Sequence, residues 1–579
     1  MVKRMVLGLL FVLVPTAAWA QAQEKYLPAK SQLYFRFDGM QTHQAAFDQT
    51  AMGKMMKGDT GKFLDEFWKF VQENIQTAAR NEPKVGPMLK DFTKLVSSMN
   101  QNGIVFALEL NQIQPVPSAQ AVLVFPKSAG ETGTLLALVD KIAQETRAKV
   151  KTEKVGKRSI NHIELEKVVK FGWWAQGEDA VLYLGTNDPV SYAKSIDSKK
   201  TGLAANPLYK KVTGFKEFKT TTRGYFDLTS ILNVVSGDFR QAGEVIDELG
   251  VRGVKNITFV SGFDGPAERS IVDVDMPGPR KGLLSFSTQH KISLKDLPVM
   301  PSDLKGFSAS AVKMDKSYST IVNLVDGVAR IFDKDAADQI KDAIKGFEGI
   351  IGKDFDFDRD FFGCFGDMVV TYNSPSDGFL GTGAVVAIQL KDAKKLSKTL
   401  DKLVKAVPPA NPLGKVELKR KAYYNGEVMQ LSIAGPMVNS HLASFGIYKD
   451  WFIYSQFPQP VKGFILRQEG ELPAWKADPS LTKALSQFPK EFTSIQVSDP
   501  RPTVQTVLTI LPFAFNLMNT VGGAAGNAGF PGYRPFDLDV IPHAQDATRH
   551  LFPNVTVTVD DGKRIRSETR GSLILPFGL

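Results

Sequence analysis

The sequence predicts an α+β protein made of two tandem homologous domains, each a largely antiparallel sheet covered by helices. Three observations predict it. The chain starts again in its middle, where Pro301-Ser302-Asp303-Leu304 and Lys313-Met314-Asp315 echo Pro28-Ala29-Lys30-Ser31 and Arg36-Phe37-Asp38. Later landmarks keep the same offset. Phe445-Gly446 follows Phe171-Gly172 by 274 residues, Pro460-Val461 follows Pro189-Val190 by 271, and Pro479 and Asp499 follow Pro207 and Asp227 by 272. Finally, strand-like runs are joined by tight turns such as Asp264-Gly265 and Asp561-Gly562, which favours antiparallel pairing. At 579 residues the chain is too long for one ordinary core. Two units of this size are paired domains, not a solenoid. The boundaries expected are 1–20 for a signal peptide, 21–295 for the first repeat and 296–579 for the second.

The elements follow in order. Lys3 and Arg4 precede an apolar run, Met5 to Val14, and Ala18-Trp19-Ala20 reads as an A-x-A cleavage site. The run is too short to span a bilayer, which takes roughly 20 residues. Cleavage is expected after Ala20, placing the mature chain in the periplasm or outside the cell. Leu33, Phe35 and Phe37 alternate with Tyr34 and Arg36, the pattern of a half-buried strand. Helices run from there to about Met99, with Phe63, Phe67, Phe70 and Val71 on one face. Strands are expected at Gly103–Leu110 and Ala119–Phe125, then a helix through Leu135, Val139 and Ala143. Four short strands fill Lys149–Thr186, and helical pieces follow at Pro189–Ile196 and Pro207–Val212. A strand at Gly224–Asp227 leads into a helix at Leu228–Val235, another to Leu249, and a closing hairpin. The second copy repeats this order.

One departure stands out. The Asp-Gly offset rises to 297 because the second copy carries extra residues near Gly522–Pro535, a Gly/Pro-rich insertion near 522–535. Thr503–Val521 before it is the most apolar stretch of the mature chain. Pro512, Gln505, Asn516 and Asn519 argue against a membrane span. A buried helix feeding a long loop is expected. A sharper reading puts Phe530, Tyr533 and Phe536 on display for a partner or membrane.

Charge and composition exclude several classes. The net charge of +10 becomes +8 without Lys3 and Arg4, and it is spread along the chain. No cluster of basic and aromatic residues points to nucleic acid. Cys364 is the only cysteine, so no internal disulfide can form. Its neighbours Phe361, Phe362 and Phe365 predict burial. No metalloprotease helix, zinc ribbon, nucleophile elbow or phosphate loop is present, and no cofactor is expected.

The strongest metal-like pattern is Asp354, Asp356, Asp358 and Asp360, whose alternating carboxylates resemble the opening of a calcium loop. It is a weak candidate, because Arg359 stands where such a loop needs Gly and Phe365 where it needs Glu. Asp227 and Asp499 precede predicted helices and read as caps.

Several short stretches carry a resemblance: Leu27-Pro28-Ala29 with Leu33-Tyr34-Phe35-Arg36, Thr50-Ala51-Met52-Gly53, Phe365-Gly366-Asp367-Met368, and Asp561-Gly562-Lys563 with Gly571-Ser572-Leu573. On these the chain resembles an uncharacterised family of secreted proteins, a domain of unknown function typical of planctomycete-type bacteria. The resemblance implies an envelope or extracellular protein and supplies no activity or catalytic residue. The first copy departs from it, reading Asn102-Gly103-Ile104 where the second has Gly366-Asp367-Met368.

The function expected is non-enzymatic, a binding or structural envelope protein whose partner is an envelope polymer, a lipid or another envelope protein. A lipid or hydrophobic-ligand carrier using 503–536 is the alternative. A hydrolase with a site invisible in linear sequence is a third.

Overall fold

The computed structural model describes residues 23–78, 85–129, 134–165, 168–198, 202–406, 415–435, 439–528 and 535–573. Its strands fall into two sets of ten. The first set is β1 (Leu33–Phe37), β2 (Ile104–Gln112), β3 (Ser118–Phe125), β4 (Lys151–Val155), β5 (Arg158–Glu164), β6 (Lys170–Gln176), β7 (Asp179–Gly185), β8 (Lys219–Phe226), β9 (Asn256–Asp264) and β10 (Ala267–Asp275). The second is β11 (Gly306–Ala311), β12 (Phe365–Asn373), β13 (Ala384–Leu390), β14 (Lys415–Tyr423), β15 (Gly426–Ala434), β16 (Asn439–Tyr448), β17 (Trp451–Ser455), β18 (Ser494–Ser498), β19 (Asn554–Asp560) and β20 (Arg564–Gly571).

Every pairing is antiparallel, and both sets pair in one order. In the first half the order is β4-β5-β6-β7-β3-β2-β1-β8-β9-β10. In the second it is β14-β15-β16-β17-β13-β12-β11-β18-β19-β20. Hydrogen bonds between β10 and β20 join the two edges, so the halves share one continuous sheet. The outer strands β4 and β14 carry Lys151, Glu153 and Lys154 on one side and Lys415, Lys419 and Lys421 on the other. Charged edges of this kind discourage pairing with further chains.

Register assigns each side chain a face. In the first half, Tyr183, Val122, Ala107, Tyr34 and Tyr225 form one cross-strand row. That row is buried under the helices Pro189–Asp197 and Pro207–Thr213. Leu182, Leu123, Phe106 and Phe35 form a row on the other face, beneath helices Val85–Asn102 and Thr134–Glu145. Gly224 continues this row opposite Phe35, and the Phe259 ring lies over it to stack on Phe35 at 6.2 Å. A Cβ at Gly224 would meet that ring at 2.4 Å and the Tyr34 carbonyl oxygen at 2.5 Å.

The second half repeats the arrangement. Phe307, Ala309, Val370, Ile495 and Val557 lie under the helix Pro458–Gln468, which supplies Val461, Phe464 and Ile465. Phe365, Leu390 and Phe452 lie under Ala393–Ala406 through Leu396. Both faces of the sheet are therefore buried over much of its width. This corrects the half-buried reading of β1, since Tyr34 and Arg36 are as deeply buried as Phe35 and Phe37.

The helical connections cross between halves. Asp59–Ala78, from the β1–β2 connection, packs its Phe63, Phe67 and Phe70 against Phe515 of Pro500–Ala528, from the β18–β19 connection. Ser317–Phe332, from the β11–β12 connection, packs on Arg240–Glu248, from the β8–β9 connection.

Candidate functional site

The helix Pro500–Ala528 begins where β18 ends. Asp499 accepts from the Arg501 N–H at 3.0 Å, and Arg501 pairs with Asp499 at 2.6 Å and with Asp478 at 3.0 Å. Carboxylates here meet the free N–H groups and the positive end of the helix dipole. Asp227 does the same in the first half, accepting from the Ser230 N–H at 3.1 Å. The capping expected for both residues is observed.

No charged side chain follows Arg501 as far as Ala528. On the inner side, Leu508 and Phe515 are buried. Phe515 stacks on Phe536 at 4.2 Å, in a cluster completed by Phe63, Phe67 and Phe70. Asn519 brackets the returning chain, donating to the Phe536 carbonyl at 2.9 Å and accepting its N–H at 2.8 Å.

On the outer side Val507, Ile510, Phe513, Leu517 and Val521 are all more than half exposed, with Phe513 at 72%. Their spacing of three, three, four and four residues places them on one stripe of the helix. Hydroxyls beside the stripe turn back into the helix. Thr506 donates to the Pro502 carbonyl, Thr509 to Gln505 and Thr520 to Asn516, each at 2.8 Å. The flank thus offers few free donors to water, an arrangement suited to an apolar medium. Over Pro500–Val521 the helix is long and apolar enough to cross a membrane, yet only 11% of its most apolar window is buried.

The expectation of a buried helix feeding a long loop is corrected on two counts. The helix lies on the surface, and it runs on through Gly522 to Ala528. Phe536 is 4% exposed and belongs to the core cluster rather than to a display surface. Phe530 and Tyr533 lie outside the described residues.

The four aspartates of the calcium-like pattern serve different partners. Asp356 caps the turn Phe357–Asp360 by accepting from the Arg359 N–H at 2.7 Å. Asp358 accepts from the N–H groups of Tyr318 and Ser319 at 3.0 Å each, capping Ser317–Phe332. Asp360 pairs with Arg359 at 2.6 Å and Lys395 at 3.2 Å. Its hydrogen bond from Arg359 does most to hold its carboxyl well below the usual range. Asp354 is exposed. Among the described residues, no group of three or more His, Cys, Asp or Glu is placed to hold a metal ion. Cys364 is buried, its Sγ donating to the Asp360 carbonyl at 3.3 Å, and burial raises the pKa of its thiol.

A pocket of about 460 Å³ opens beside β5 and β6, lined by Asp140, Arg158, Asn161, Trp173 and Trp174 among others. Its one carboxylate, Asp140, is engaged by the indole N–H of Trp173 at 2.8 Å and by Asn161 at 3.3 Å. Lys157 and Ser159 also line the pocket, and neither makes a hydrogen bond to Asp140 among the described residues.

Sequence reasoning missed a buried ionic cluster. Arg36, fully buried, donates to Glu24 at 2.8 Å and pairs with Asp38, which also accepts from Arg223 at 3.2 Å. The Tyr34 hydroxyl donates to Glu24 at 2.8 Å. The available signal was Tyr34 and Arg36 alternating with three apolar residues. It reads as an outward face unless a second layer covers it.

No family model matches the chain, and no curated protein matches it in sequence. Among solved structures, crystal form III of TP0453 aligns with 44% of this chain and 80% of its own, at a TM-score of 0.24 and 8% identity. Crystal form I aligns with 46% and 82%, at a TM-score of 0.23 and the same identity. A likeness this slight carries no argument about function.

Proposed function

We propose that this is a non-enzymatic protein of the cell envelope that rests on a lipid surface through the outward stripe of Pro500–Ala528. The stripe itself carries the reading: five large apolar side chains in line, uncharged and uncovered, beside threonines bonded back into their own helix. Trp68 and Leu64, exposed on the neighbouring helix Asp59–Ala78, extend the apolar surface and supply a ring of the kind that settles at membrane interfaces. The signal-like N-terminus and the resemblance to a secreted family support an envelope location. The shared strand order supports reading 21–295 and 296–579 as copies of one ancestral unit.

Seating the five exposed side chains in hydrocarbon is favourable by about 25 cal/mol for each Å² of apolar surface removed from water. The interaction is that of an interfacial helix, apolar on one face, and not of an anchor. Phe332, Phe347 and Ile350 on the helices Ser317–Phe332 and Lys334–Ile351 offer further exposed apolar surface.

Co-flotation of the mature protein with uncharged phosphatidylcholine vesicles tests the reading. Binding is expected, insensitive to 0.5 M salt and lost in the double variant Phe513→Asp, Leu517→Asp. Failure to float with any vesicle overturns it. So does binding that survives the double variant, and a stable dimer formed through the same stripe would replace lipid with a second copy.

A further inference from the structure

The two halves share a strand order, yet at one matched place a guanidinium is present in the second half and missing from the first. The helix Ala393–Ala406 covers Met429 of β15 and Ile447 of β16 through Leu396. The helix Thr134–Glu145 covers Ile163 of β5 and Trp173 of β6 through Leu135. Leu396, Thr399 and Asp401 stand 261 residues after Leu135, Leu138 and Asp140, and the first two of each set are buried. Asp401 is therefore the counterpart of Asp140. On the strands, Trp173 pairs with Asn161, which pairs with Thr152. Counted from the matched Gly172 and Gly446, the second half answers with Ile447, Glu427 and Ala422.

In the second half Arg420, two residues before Ala422, fills the space between helix and strands. It donates to Asp401 at 3.0 Å, to the Ser397 hydroxyl at 2.9 Å, and to both oxygens of Glu427 at 2.9 and 2.8 Å. In the first half the residue two before Thr152 is Val150, which cannot play this part. The carboxylate remains without its arginine, and the pocket of about 460 Å³ opens beside it. Its size is that of a small-molecule site.

We propose that this pocket binds a guanidinium group brought by a ligand, with Asp140 holding it as Asp401 holds Arg420. Asp140 is oriented in advance, because Trp173 and Asn161 both donate to its Oδ1. Among the described residues, its Oδ2 accepts no hydrogen bond. The flat fork of a guanidinium suits a fixed carboxylate better than a compact ammonium does. Of the cations in the lining, Arg158 is already engaged by Gln176, the Ala193 carbonyl and Asp197. Lys157 is exposed and makes no ion pair among the described residues. It suits a ligand that carries a carboxylate beside its guanidinium. Asn161 stands where the second half has Glu427, so one carboxylate replaces two and the binding is weak and reversible. This site is independent of the lipid-contacting stripe.

The test titrates the full chain with N-acetyl-L-arginine amide and follows the indole N–H resonance of Trp173, which reports directly on Asp140. A saturable shift at millimolar probe is expected, with N-acetyl-L-citrulline amide, the uncharged analogue, weaker by at least about tenfold. Asp140→Asn should lose the response. Val150→Arg should supply the guanidinium in cis, moving the resonance without probe and abolishing further binding; it also carries the test if Asp140→Asn does not fold. Free L-arginine separates the sources. Tighter binding of the free amino acid, lost in Lys157→Ala, assigns the ligand to a small zwitterion, and equal binding assigns it to an arginine side chain of a polypeptide. Equal responses to the arginine and citrulline probes overturn the proposal. So does the absence of any saturable shift, or a folded Val150→Arg chain that binds as the wild type does.

Discussion

Arg280 and Asp560, 280 residues apart, form a buried ion pair that ties the two halves together beside the β10–β20 junction. The guanidinium engages both carboxylate oxygens, with one contact at 2.8 Å, and the same two nitrogens also donate to the Ser287 hydroxyl at 2.7 Å and the Met276 carbonyl at 3.2 Å. The side chains are 9% and 3% exposed. Nearby, more exposed pairs repeat the linkage, with Arg269 on Glu568 at 2.7 Å and Arg566 on Glu217 at 2.7 Å.

Removing one partner of a buried pair strands the other charge, which costs about 3–5 kcal/mol. Arg280→Ala is therefore expected to lower the urea midpoint strongly, whereas Arg566→Ala, half-exposed and screened, changes stability by less than about 1 kcal/mol. Similar small effects from both would mean the junction is held by its backbone hydrogen bonds alone.

His43 predicts a pH dependence. Burial, reinforced by Lys219 and Arg223, lowers its pKa to about 4 in the folded chain. An unfolded histidine titrates near its ordinary value of about 6.5. Between these values the unfolded chain binds the extra proton, so stability is fully present above about pH 6.5 and falls as the pH drops toward about 4. The loss amounts to about 3 kcal/mol at most. Urea midpoints measured from pH 7 to 4.5 should slope downward in the wild type and flatten in His43→Gln; parallel slopes would assign the effect elsewhere.

Gly224 carries a packing prediction. An alanine there drives its methyl into the Phe259 ring and the Tyr34 carbonyl. Overpacking of this sort costs roughly 1–3 kcal/mol. Gly224→Ala should be destabilised, and Phe259→Leu should recover part of the loss; an unchanged midpoint for Gly224→Ala would show that the ring moves aside without strain.

Phe513 and Phe515 sit two residues apart on opposite roles of one helix. Phe515→Ala empties a site between Phe536 and Phe70, at about 3–5 kcal/mol. Phe513→Ala removes only exposed surface, so its thermal midpoint should match the wild type while vesicle binding weakens several-fold. Loss of stability in both variants, with vesicle binding unchanged, would place the stripe in a contact of another kind.

Much of this fold was legible before any coordinates. The alternation at Leu33–Phe37, the helix spacing of Phe63, Phe67 and Phe70, and the landmarks near an offset of 272 all correspond to elements that form. Gly265 and Gly562 adopt the left-handed turns their Asp-Gly pairs promised, with φ of +60° and +84°. These features depend on neighbours a few residues away, and local sequence states them directly. The candidate site was only half visible. Composition marked Thr503–Val521 as apolar and Phe536 as aromatic, but it could not say which of the two would be covered.

The chain by itself determined where strands and helices begin and which residues cap them. Only tertiary structure decided that the halves merge through β10 and β20, that Arg36 lies inside and that Phe513 lies outside. The reason is that hydrophobicity belongs to a residue, whereas burial belongs to whatever packs against it. For Phe515 and Phe536 the covering groups, Phe63, Phe67 and Phe70, come from a distant part of the chain.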